Sequence, residues 1–277
     1  MLKKIYFYVT NTASTSHTIN SNLFLKMNLL KRIKVVFLFL TFPLVLQAQT
    51  AQEIIDTYIE NIGGHDAWSK IESMTAKGIG KQQGVEYPFV ATYMADGRYL
   101  IEIDIQGTPF VVEAFDGETS WAMNFQTQKP EAQDSESSLN TKNEAKDLLV
   151  SPFFNYKEKG YAIELVSKET MEGTEAFKIK LTKKPTLSDG EEKENIEFFF
   201  FDTENYVPIA SESTLNSGPA QGMTSQSIYS DFQEINGLYL PFSQIDKFNG
   251  QIGLEVLIET AQFNTEVDET IFKMPQD

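Results

Sequence analysis

The sequence has 277 residues, 41% of them hydrophobic and 12% aromatic, with 21 Phe, which is enough apolar material to bury a sizeable core and excludes disorder for most of the chain. Its formal net charge of −16 repels nucleic acid and anionic lipid headgroups, and keeps the surface soluble. It contains no cysteine, which excludes disulfides, thiol catalysis and a lipid anchor attached through cysteine behind a leader.

Residues 1–48 read as an upstream extension and signal peptide, with Met27 the expected start. Lys31, Arg32 and Lys34 precede an apolar run at 35–46 that is short for a membrane span, and Gln47-Ala48 offers a small residue for signal peptidase. Cleavage is expected near Ala48 or Gln49, with export to the periplasm. The leader holds six basic and no acidic residues, so the remainder carries 17 basic against 39 acidic residues. No linker interrupts residues 49–277, which are expected to form a single domain.

Helical spacing of Ile54, Ile55, Tyr58, Ile59 and Ile62 predicts a helix over 51–62, ended by Gly63-Gly64. A short turn at 66–71 carries Trp68 as a packing anchor. From Ser73 the period becomes two, with strands expected at 73–82, 85–95, 98–105, 108–115 and 118–125. Turn signals at Gly84, Asp96-Gly97, Gly107 and Asp116-Gly117 make these strands an antiparallel meander. Tyr99, Ile101, Ile103 and Ile105 alternate with Arg98, Glu102 and Asp104. With Asp116-Gly117 as a two-residue turn, Ala114 pairs with Thr119, Val112 with Trp121 and Phe110 with Met123 on one apolar face, and Glu113 faces Ser120 on the other.

Residues 126–138 are polar and aperiodic and read as a loop; Thr141 to Glu144 then resembles a capping box opening a helix over 141–150 that Pro152 stops. That helix, followed by Phe153 and Phe154, is either a plain crossover or a mobile lid over the sheet. Further strands are expected at 160–168, 173–183, 194–202, 206–215, 223–233, 238–248 and 251–263, with Asp189-Gly190 a solvated hairpin tip. Phe198 to Phe201 put rings on both faces, as in a strand covered on both sides. About ten to twelve strands with few helices predict a mainly β fold, a strongly curved or barrel-like sheet.

Catalytic chemistry is sparse. After the leader one histidine remains, His65 at a helix end, and no nucleophile elbow, metal helix, phosphate loop or dinucleotide fingerprint is present. Close carboxylates are expected by chance among 39 acids, so no enzyme, metal or cofactor is expected.

The order helix, GGHDAW, meander, FDGETSW, short helix, FFFDTENYVPIASE, SDFQEINGLYLPF and FNTEVDETIFKMP resembles the outer-membrane lipoprotein-sorting proteins of Bacteroidetes type, within the LolA-like superfamily of periplasmic lipoprotein carriers. The resemblance covers residues 50–277. It implies an unclosed antiparallel β-barrel, a half-barrel with helices on its concave side. It also implies a monomeric carrier that shelters the acyl chains of a lipid or lipoprotein between inner- and outer-membrane transfer partners. The carrier's arginine-plus-tryptophan segment in the third strand stands here as Arg98-Tyr99-Leu100, so only Arg98 corresponds. Combining alternation with this resemblance, the expected lipid-binding set is Val90, Ile101, Ile103, Phe110, Val112, Trp121, Met123, Phe153 and Phe154. The alternatives are an envelope interaction or stress-sensing module of the same fold and, third, a hydrolase.

Overall fold

Thr50 caps the first described helix. Its hydroxyl accepts from Glu53 N at 3.2 Å while the Glu53 carboxylate accepts from Thr50 N at 2.8 Å, a reciprocal cap for helix α1 (Ala51–Asn61). The structure is a computed structural model that describes residues 49–217 and 220–276, so the leader and the Met27 start lie outside the described residues. Ile54, Ile55, Tyr58 and Ile59 form the buried stripe of α1. Gly63 (φ +122°) ends it; a Cβ there would sit 2.6 Å from the Gly237 carbonyl, so only glycine fits. A single turn, α2 (His65–Trp68), follows, and Trp68 Nε1 donates to the Ile62 carbonyl at 2.9 Å.

The rest is sheet. The meander comprises β1 (Ser73–Gln82), β2 (Val85–Met94), β3 (Tyr99–Ile105), β4 (Thr108–Phe115), β5 (Ser120–Met123) and β6 (Pro130–Ala132). After the helical crossover come β7 (Ala162–Met171), β8 (Thr174–Thr182) and a small hairpin of β9 (Thr186–Ser188) and β10 (Glu191–Lys193). The chain then continues through β11 (Ile196–Asp202), β12 (Pro208–Thr214), β13 (Thr224–Ile235), β14 (Leu238–Phe248) and β15 (Gln251–Phe263). Thirteen strands form one sheet in the order β6-β5-β4-β3-β2-β1-β15-β14-β13-β12-β11-β8-β7, and the outermost two do not pair. This is the unclosed, curved antiparallel sheet expected from the sequence.

On its concave face α1 and the segment around Phe153 cover Phe177, Ile179, Leu181, Phe199 and Phe201. On the convex face Phe272 closes over Leu100, Ala114 and Trp121. Phe198 and Phe200 also face outward, with the Lys178 ammonium 5.1 and 5.0 Å from their ring centres, so β11 is covered on both sides as its four rings suggest.

Three local expectations need correction. The β4–β5 turn is centred on Gly117-Glu118: Asp116 N donates to Thr119 O at 3.2 Å, and Asp116 Oδ1 accepts from Glu118 N (2.9 Å) and Thr119 N (2.7 Å). The register is therefore Ala114 with Trp121 and Phe115 with Ser120, two residues from the expected pairing but on the same parity. The crossover helix is α3 (Ser135–Glu144), followed by a 3-10 turn (Ala145–Asp147), and does not run over 141–150. Asp134 caps it, with its carboxylate accepting from Ser137 N at 2.7 Å, and Thr141 lies inside it. Thirdly, β6 occupies what reads as loop.

Helix α3 buries only Ser138, so apolar burial does not hold it. Polar clips do. Glu136 accepts from Asp189 N (2.8 Å) and Gly190 N (2.9 Å), and Asn140 donates to Leu187 O (2.7 Å) and accepts from Leu187 N (2.8 Å). The Asp189-Gly190 tip is exposed, as expected, but its amides are satisfied by the helix.

Candidate ligand site on the concave face

Alternation places Ala76, Gly78 and Gly80 of β1 on the concave face, with Ala91 paired to Ala76 and Ala261 paired to it from the other side. These residues make a shallow floor. Half-buried apolar side chains flank it: Phe89, Ile101 and Ile103 on one side, and Leu254, Val256 and Ile258 on the other. The two glycines differ. A Cβ on Gly78 would meet Leu257 O at 2.0 Å, because β15 bulges there, whereas a Cβ on Gly80 would find nothing nearer than 3.8 Å. Gly78 serves the backbone, whereas a methyl on Gly80 would meet only ordinary van der Waals contacts.

Beyond this floor, between the sheet and α3 with its 3-10 turn, lies a cavity of about 520 Å³. Its wall is polar. Tyr99 of β3 donates to Glu113 of β4, and Glu113 pairs in register with Ile101, so its carboxylate adjoins the apolar strip. On the far wall Lys183 is held by Glu144 at 3.1 Å and by Glu197 at 3.2 Å. Asp147 is held by Lys159 at 2.7 Å and accepts from the Tyr161 hydroxyl at 3.1 Å. Burial opposes the charge on Lys183, but Glu197 and Glu144 outweigh it and hold the ammonium well above the usual lysine range. Burial and then Glu197 push the Tyr229 phenol up to about 12; burial and then Glu113 do the same to Tyr93. Tyr99 is raised for the same two reasons. Among the described residues no group of three or more His, Asp or Glu is placed to hold a metal ion.

The nine residues expected to line one cavity do not come together. Ile101 and Ile103 share the concave strip, and Phe110 pairs with Ile103 on the same face, stacked on Phe125 at 4.3 Å. Val112 is the extra residue of a β-bulge, left unpaired between Val111 and Glu113. The bulge exchanges the faces of β4 beyond it, so Ala114 and its partner Trp121 turn to the convex side. There the Trp121 indole donates to Phe272 O at 2.8 Å, and Met123 packs in the same cluster. Val90 pairs with Lys77 and Glu102 and is also convex; the adjacent apolar pair Phe89-Val90 hides which of the two points inward. Phe153 is filled-core material, edge-on to Phe199 at 4.8 Å and to Phe201 at 5.3 Å. Phe154 stacks on His65 at 4.6 Å, outside the cavity.

Sequence reasoning missed Tyr99 and Glu113 as a pair, because Glu113 was expected on the water-facing side. It also missed Lys183, Glu197 and Tyr229, which come together through the pairing of β8 with β11 and, across β12, with β13. Arg98 binds Asp96 (2.8 Å) and Glu269 (2.9 Å) and lies over the Phe272 ring, clamping the turn at Glu269–Phe272.

No family model and no curated protein sequence matches the chain. Solved structures share its fold. A LolA superfamily protein from Nitrosomonas europaea aligns with TM-score 0.52 at 14% identity, over 82% of this chain and 98% of that one. A DUF1329 family protein from Desulfovibrio piger aligns with TM-score 0.53 at 11% identity, over 80% of this chain and 96% of that one. An outer membrane lipoprotein-sorting protein domain from Vibrio parahaemolyticus aligns with TM-score 0.49 at 12% identity, over 79% and 97% of the two chains.

Proposed function

We propose that the chain is a periplasmic amphiphile-binding protein, a carrier for lipid or for the acyl portion of a lipoprotein, and that it acts by binding rather than catalysis. The observation that carries this reading is the concave strip of Phe89, Ile101, Ile103, Leu254 and Val256, which stays half-buried around a floor of small residues and runs toward an open cavity. A sheet that had only to fold would fill that space, as α1 does at the other end of the same face. Covering an alkyl chain there stabilises a complex by about 0.8 kcal/mol per buried methylene, so a modest length of tail suffices for useful affinity. The LolA-like fold agrees with the carrier that the sequence resemblance implies.

Native mass spectrometry of protein purified without detergent tests this reading. A retained lipid mass, together with saturable one-to-one binding of a neutral apolar fluorophore such as N-phenyl-1-naphthylamine, is the expected result. Bare protein that binds no such probe would overturn the reading and favour an interaction module built on the same sheet.

A further inference from the structure

The cavity beside the apolar strip has a chemical preference of its own. We propose that it takes a cationic headgroup, a primary amine or quaternary ammonium, of an amphiphile whose tail lies along Ile101 and Ile103; this rests on the binding reading above.

The argument starts from the cavity, an open cleft of about 520 Å³ that a helix with one buried side chain leaves unfilled. Its lining sets Glu113, Glu144, Asp147 and Glu197 against a single ammonium, Lys183. That ammonium is already shared by Glu144 and Glu197, and Asp147 has its own partner in Lys159. An entering carboxylate or phosphate would therefore have to displace an existing ion pair and would face the remaining acids. A cation meets the opposite situation. Glu113 is exposed, engaged by the Tyr99 phenol, and adjacent in register to Ile101, where the apolar strip begins. Tyr99, Tyr229 and Phe199 bring aromatic rings to the same lining, the combination of ring faces and carboxylate that suits an organic ammonium. The acidic excess of the whole chain adds to the local preference by concentrating cations near the mouth.

Displacement of the neutral fluorophore by dodecylamine, dodecyltrimethylammonium, a neutral dodecyl glycoside and dodecanoate, each below its micelle threshold, reads this preference at constant tail length. The cations are expected to bind about tenfold or more tightly than dodecanoate at low salt, with the difference shrinking as salt rises. Glu113→Gln keeps an acceptor for Tyr99 and should reduce the cation advantage several-fold, read as the ratio of cation to glycoside affinity in the same folded variant. Equal or tighter binding of dodecanoate overturns the assignment, as does a Glu113→Gln protein that keeps the full cation advantage. If none of the four binds, the binding reading of the concave face fails and takes this assignment with it.

Discussion

The two ends of the concave face are built on different principles. Under α1 the sheet is sealed by interlocking rings: Phe153 stands edge-on to Tyr58, Phe199 and Phe201, and every side chain of that cluster is buried or nearly so. Under α3 the cover is held by carboxylate and amide clips to a hairpin and by a few ion pairs, with a cavity left beneath. Hydrophobic burial fixes the first end by area and shape. The second is held by directional polar contacts that constrain position without excluding water. One end is a filled core, and the other leaves a cavity of about 520 Å³ unfilled.

The comparison breaks most visibly at Phe153. Phe153→Ala should cost about 3–5 kcal/mol in urea denaturation, since it empties the centre of a filled cluster. A loss well below that range would mean the α1 end is not the packed one. Next comes the pair of floor glycines. Gly78→Ala forces a methyl into the Leu257 carbonyl and should destabilise by roughly 1–3 kcal/mol. Gly80→Ala should stay within about 0.5 kcal/mol of wild type, since a methyl there meets only ordinary van der Waals contacts.

Alkaline titration separates the two ends by cause. Burial is the chief reason the Tyr58 phenol is pushed up to about 12, whereas Tyr93 and Tyr229 reach about 12 through burial with added repulsion from Glu113 and Glu197. A proton bound more tightly in the folded state favours folding below the unfolded pKa. That contribution is present up to about pH 10 and is lost as pH rises toward about 12. Tyrosinate absorbance should therefore rise together with unfolding, and Glu113→Gln should lower the Tyr93 transition but not that of Tyr58. The smallest effect belongs to the exposed pair of Lys142 on α3 with Glu118 of the β4–β5 turn, 2.6 Å apart. Lys142→Ala should change stability by no more than about 0.5 kcal/mol, because solvent screens both partners.

The turns were the most legible feature, since Asp-Gly and Gly signals mark backbone positions that few residues can adopt; β1 and β4 match their expected bounds. The stripe of α1 was legible because burial imposes its spacing. What escaped was the consequence of one inserted residue. The bulge at Val112 leaves the hydrophobic pattern of β4 looking regular while sending Trp121 and Met123 to the convex face. Helix α3 was misplaced for a related reason: its stabilising partners, Leu187, Asp189 and Gly190, are some fifty residues away and leave no periodicity in the helix itself. The polar cavity was illegible because its charged residues come from β4, α3, the 3-10 turn, the segment after β8 and β11.

The central claim, that space on the concave floor is reserved for a ligand, is tested most directly by Gly80→Trp. Gly80 has no positive φ, and a Cβ there would lie 3.8 Å from Leu254 Cδ1 and from the Tyr87 carbonyl, so a side chain can leave the strand there without a clash at its first carbon. The account predicts that fluorophore binding falls at least about tenfold while the melting temperature stays close to wild type. Undiminished binding by a stably folded Gly80→Trp protein would contradict it.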